Sequence, residues 1–195
     1  YDAYLAGRAQ LTEQEARGLA LFEDEAKGNC AACHPSRPAD GQPPLFTDFT
    51  YDALGVPRNP ELQQNADPAF YDFGLCARDD GVLASRDDLC GLFKVPSLRN
   101  VALRKRYFHN GRFASLRDVV DFYVTRDTDP ARWYPSVDGA VVKFDDLPAK
   151  HHGNVNTTEP PYDRGPGDAP ALTAGEIDDV VAFLRTLSDG WSTSR

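Results

Sequence analysis

Between residues 30 and 34 the chain reads Cys-Ala-Ala-Cys-His, and no other stretch restricts its fold as strongly. Two cysteines in this spacing followed by a histidine form the attachment pattern of a c-type haem. Both sulfurs must reach one edge of a single porphyrin, and the adjacent imidazole then lies beneath the iron as a ligand. Cys30, Cys33 and His34 are therefore the first candidate site residues. Two other uses of paired cysteines fit less well. A redox dithiol should follow a strand in a βαβ unit, whereas the residues before Cys30 read as helix. A zinc site would want a second close ligand pair, and Cys76 and Cys90 stand far from each other.

A chain of 195 residues with fifteen glycines and fifteen prolines has room for one domain with long ordered loops, as expected when a large cofactor supplies part of the core. The net charge of −9 argues against nucleic acid or an anionic membrane surface as a partner. No run approaches the roughly 20 apolar residues of a membrane span. Pairing Cys76 with Cys90 would close a loop of about 15 residues, worth about 3 kcal/mol in the chain-entropy view. A disulfide and covalent haem both suit an oxidising compartment, here the periplasm. The sequence has neither a signal peptide nor a methionine, so Tyr1 reads as a processed or cut end.

Three helices are expected, over about 12–27, 115–125 and 173–188, in a mainly α fold. Thr12 with Glu15, and Thr173 with Glu176, each have the capping-box spacing. The first helix carries Ala16, Leu19, Ala20 and Phe22 on its apolar side and ends at Gly28-Asn29. Ser115 caps the second, where Leu116, Val119, Val120 and Tyr123 fall at i, i+3, i+4 and i+7. The last buries Ile177, Val180, Val181, Leu184 and Leu187. Residues 35–65 read as a loop around the cofactor edge, and Ser97 as the cap of a short helix. The proline-rich stretch 126–171 is a loop insertion, functional or draped over a surface.

With His34 on one side of the iron, the other axial position decides the chemistry. Electron-transfer cytochromes commonly use methionine there, and this chain has none. Tyr123, His109, His151, His152, a lysine and an open position remain. His151 and His152 lie in the polar loop and read as solvated, and His109 lies in an aromatic turn. Tyr123 alone is pointed inward by helical periodicity, and a phenolate would favour ferric iron.

Several runs together resemble the di-haem cytochrome c peroxidase and MauG family, specifically its C-terminal haem domain. They are Leu11 to Glu15 with Gly18 to Phe22, Cys30 to His34, Leu54-Gly55-Val56-Pro57, Phe93 to Ala102, Tyr107 to Gly111, Leu116 to Tyr123, and Pro170 to Thr173. The resemblance implies a cytochrome c-like domain over 1–195, one covalent haem c, and Tyr123 as the distal ligand of the tyrosine-ligated branch. It also implies a role in peroxide-dependent oxidation, holding or relaying oxidising equivalents or electrons. The implied partners are an N-terminal haem domain or separate chain bearing the peroxide-binding haem, and a redox-protein donor or protein substrate. Family members often carry Thr-x-Pro for an interdomain calcium where this chain reads Arg104-Lys105-Arg106. Three cations suit Ca²⁺ poorly, which argues against calcium here. The alternatives are a stand-alone electron carrier without turnover and an open haem reacting directly with peroxide or a small gas. Arg99, Asn100 and His109 lie within these runs and are the residues to place against the cofactor and its distal ligand.

Overall fold

The computed structural model describes residues 1–39 and 41–190. Among the described residues, four α-helices, several short 3₁₀ segments and two antiparallel pairs of two-residue strands make the fold mainly α. Helix α1 spans Asp2–Leu5, α2 Glu13–Glu23, α3 Leu116–Thr125 and α4 Ala174–Arg185. Strand β1 (Tyr51–Asp52) pairs with β2 (Phe93–Lys94), and β3 (Ser136–Val137) with β4 (Ala140–Val141).

Both capping boxes are formed. Thr12 and Thr173 accept from the backbone N–H of Glu15 and Glu176, whose carboxylates reach back to the threonine N–H groups. Helix α2 stops at Glu23, short of Gly28-Asn29, and a turn over 24–28 carries the chain to the Cys30–Ala32 turn. Its buried residues are Gly18 and Phe22, while Ala16 and Ala20 face solvent. Alanine says little about a helix face, and the missing side chain of Gly18 is what α2 uses instead. A Cβ there would stand 1.9 Å from the Asp179 carbonyl oxygen and 2.9 Å from Phe183 Cβ. The two helices cross backbone to backbone at that point. Around the crossing, Phe22, Phe46, Phe183 and Tyr1 pack mostly edge to face, with centroids 5.2–6.3 Å apart. Arg17–Asp179 and Lys27–Glu176 pair across its rim.

Helix α3 opens on Ser115, whose hydroxyl accepts from the Asp118 N–H. Val120, Phe122 and Val124 are buried, whereas Leu116, Val119 and Tyr123 are only half-buried, because that side of the helix faces a cavity rather than a dry core. Phe108, Phe113, Phe122 and Trp133 form a second aromatic cluster behind it. Ser97 does not cap a helix. It accepts from the Arg99 N–H and donates to the Leu45 carbonyl, and the following 3₁₀ turn, Val101–Leu103, starts after Asn100 in the left-handed region.

Cys76 and Cys90 are joined. Their loop docks on the 3₁₀ turn Ala149–Asn154 through the Asn154 amide, which donates to the carbonyls of Asp87 and Cys90. His151 in that turn is buried, edge-on to Phe73, rather than solvated; the disulfide loop, remote in sequence, covers it. His152 is half-buried, with Nε2 2.8 Å from the Leu147 carbonyl oxygen.

The stretch 126–171 is anchored by Arg126, which is fully buried. Its guanidinium donates to Asp127, to the Leu54 carbonyl at 2.9 Å and to the Asn156 carbonyl at 2.6 Å, while Lys143 pairs with the far side of Asp127. A buried cation needs this degree of pairing, since desolvation costs several kcal/mol per ion. Gly55, beside Leu54, has φ +59, and a Cβ on it would strike the Phe144 ring at 2.2 Å. The loop thus lies directly against the 51–56 segment.

Candidate functional site

A cavity of 440 Å³ opens between α3, α4, the Cys30–Ala32 turn, the 93–98 segment and the 156–162 loop. That size is within the range of small-molecule and cofactor sites. Its walls are largely aliphatic, with Leu54, Val56, Leu98, Val119, Leu172 and Val180 among them. Cys30, Cys33, His34 and Tyr123 all line it. His109 lines it too, whereas His151 and His152 do not.

The two cysteines are unpaired and half-buried at the turn that follows α2. Burial pushes the Cys30 thiol up to about 12, and burial with the nearby carboxylates of Asp52, Asp48 and Glu159 pushes Cys33 up to about 11. Both are thus protonated thiols at neutral pH, the form whose S–H is consumed when a sulfur adds to a vinyl group. The His34 ring is oriented by its Nδ1, 2.7 Å from the Phe46 carbonyl oxygen. An Nδ1–H donor there leaves Nε2 as the lone-pair nitrogen, the usual arrangement of a metal-binding imidazole. Desolvation lowers the His34 pKa, which also favours the neutral ring.

Tyr123 reaches the cavity from the middle of α3. Burial, and then the proximity of Cys30, Asp52 and Cys33, raise its pKa, with Arg126 acting in the opposite direction. A phenol so placed gives up its proton only to a strong local positive charge, such as a metal ion. At the opening are Lys94, Arg104 and Arg106, with Ser97. Arg106 also pairs with Glu61. Arg99 and Asn100 are engaged elsewhere, with Asp2 and Asp189. The His109 ring stacks on Phe93 at 3.5 Å, with Nε2 3.9 Å from an Asp146 carboxylate oxygen.

One cavity-lining group has no signal in the sequence. Tyr162 sits in the proline-rich loop without periodicity, is buried, and packs beside Tyr123 with ring centroids 6.1 Å apart. The Arg126 guanidinium covers its ring at 4.2 Å.

The donor set suits a covalently held porphyrin. It comprises two thiols, a neutral imidazole and a phenol on an apolar-walled cavity, with cations at the rim for two carboxylates. A mainly α chain enclosing such a cavity is of the cytochrome type.

A scan against models of protein families finds no match. Among curated proteins, the chain is 31% identical over 97% of its length to the methylamine utilization protein MauG of Paracoccus denitrificans, covering 46% of that protein. It is 34% identical over 63% of its length to the cytochrome-c peroxidase IdrP1 of Denitromonas iodatirespirans, covering 35% of it. Among solved structures, the diheme peroxidase BthA from Burkholderia thailandensis superposes with a TM-score of 0.88 and 49% identity over 97% of this chain and 46% of that one. The chain belongs to the family of MauG proteins and di-haem cytochrome c peroxidases. It spans about half the length of its full-coverage relative MauG.

Proposed function

We propose that residues 1–195 form one cytochrome c-like haem domain, the C-terminal one, of a MauG-like peroxidase. Cys30 and Cys33 would carry one haem c, and His34 Nε2 and the Tyr123 oxygen would hold its iron. When bound, the haem supplies a one-electron redox centre, and phenolate ligation biases it toward the oxidised side. The chain's own residues bind and orient it. The Phe46 carbonyl fixes the imidazole plane, α3 delivers the phenol, and the aliphatic walls exclude water. Lys94, Arg104 and Arg106 are the cations available to the porphyrin carboxylates.

With an imidazole and a phenolate both holding the iron, the site would leave peroxide no place to bind. The domain then holds or relays oxidising equivalents or electrons in a peroxide-dependent oxidation. The peroxide-reactive haem belongs to another domain or chain, and a redox protein serves as donor or a protein as substrate. Covalent haem and the Cys76–Cys90 bridge favour an extracytoplasmic setting. Among the described residues no helix is long and apolar enough to cross a membrane.

The observation that carries this reading is the meeting of Cys30, Cys33, His34 and Tyr123 on one cavity. Spin resonance and resonance Raman spectra of the ferric haem-loaded chain test it. Parent protein should show an iron–phenolate signature that Tyr123→Phe abolishes, with a large rise in reduction potential. An unchanged spectrum in that variant would overturn the ligand assignment.

A further inference from the structure

Among the buried tyrosines of this chain, two kinds of environment occur. The Tyr107 hydroxyl donates to the carbonyls of Val101 and Arg104, and the Tyr134 hydroxyl to that of Gly55 at 2.6 Å. Such pairing is the normal fate of a buried phenol. Tyr162 is buried as a residue, at 7% exposure, yet no hydrogen bond ties its hydroxyl to protein among the described residues. The sealed unpartnered side-chain atoms are Arg112 Nε and Arg164 Nε, and the Tyr162 hydroxyl is open to the cavity that the residue lines. The Tyr123 hydroxyl, on the same cavity, has no such bond either.

We propose that Tyr162 is a positioning residue for Tyr123: its O–H donates a hydrogen bond to the phenolate oxygen that Tyr123 presents to the iron, and Arg126 clamps it in place. This rests on Tyr123 being the ligand. A coordinated phenolate is an anionic acceptor, and charge-assisted hydrogen bonds are roughly twice as strong as neutral ones. The Tyr162 ring, tilted 32° to that of Tyr123 with centroids 6.1 Å apart, lines the same cavity, so an O–H donor is available beside the ligand.

The clamp explains why a cation is buried here at all. Arg126 lies one helical turn beyond Tyr123, its guanidinium over the Tyr162 ring in cation–π contact. Its two terminal nitrogens hold the carbonyls of Leu54 and Asn156, and both of those residues line the cavity. A single side chain thereby ties the end of α3, the 51–56 segment and the 156–162 loop into one wall. Hydrogen-bond donation draws electron density from the phenolate oxygen and weakens its hold on ferric iron. Tyr162 thus moderates the bias that the ligand imposes.

The test uses the haem-loaded chain and Tyr162→Phe, which keeps the ring and its contact with Arg126. In the parent, the iron–phenolate stretch should shift when H₂O is replaced by D₂O. In the variant that sensitivity should vanish and the stretch should move to higher frequency. The ferric state should gain about tenfold, a fall of about 59 mV in a one-electron potential. A phenolate stretch that is D₂O-insensitive in the parent, or a variant with unchanged stretch and potential, overturns the role of Tyr162 while leaving Tyr123 as ligand. Absence of any phenolate stretch in the parent overturns both.

Discussion

The two sides of the cavity are held by different physics. On one side α2 and α4 cross where Gly18 meets the Asp179 carbonyl, and the contact is close packing around Phe22 and Phe183. On the other, the wall made by 126–171 has little regular structure and depends on the charged hydrogen bonds of Arg126. Packing of the first kind follows from local periodicity and caps. The second kind follows from one long-range polar hub, and its cost of failure is concentrated in a single residue.

Arg126→Met should have the largest effect, about 3–5 kcal/mol, because it leaves the buried Asp127 short of a partner and strands the carbonyls of the half-buried Leu54 and Asn156. Denaturant unfolding reads the loss, and a deficit below that of any helix-crossing variant would refute the hub. Gly18→Ala should cost about 1–3 kcal/mol by overpacking, visible as a lower midpoint with unchanged slope. A neutral result would mean the helices can slide apart at their crossing. Thr173→Ala, which removes one cap of α4, should cost about 1 kcal/mol.

The same cap makes a pH prediction. The Glu176 carboxyl is held below its usual 4.5 by the Thr173 N–H and then by Lys27. The folded state therefore favours the charged form, whose contribution is complete above the unfolded value and lost as pH falls through the folded one. Glu176→Gln should be less stable than the parent at neutral pH, and the gap should close as pH falls through the lowered pKa of the folded carboxyl. A gap independent of pH would assign the effect to packing.

The same division governs how much could be read from the residues. Thr12 with Glu15 and Thr173 with Glu176 mark two helix starts by short-range chemistry, and Ser115 marks a third. Cys76 and Cys90 announce a pair by being the two left over. Cys30, Cys33 and His34 carry a spacing with one dominant meaning, and Tyr123 inherits its inward direction from α3. Tyr162, by contrast, stands in a loop whose direction no period encodes. Its partner Arg126 looks like any charged residue after a helix until Leu54 and Asn156, distant in sequence, are brought beside it. His151 misleads for the same reason, since the segment that buries it lies some 60 residues earlier. Ala16 and Ala20 mislead because a methyl group fits either side of a helix.

One bond joins the packed side to the imidazole. The carbonyl that accepts from His34 Nδ1 belongs to Phe46, whose backbone lies in the left-handed region at φ 54 and whose ring packs against both Phe22 and Phe183. Phe46 therefore works as a lever. A shift of the Phe46 backbone would move the carbonyl that orients the imidazole. On the proposed ligation, substitutions at the crossing should therefore register in the electronic spectrum of the haem as well as in the melting curve.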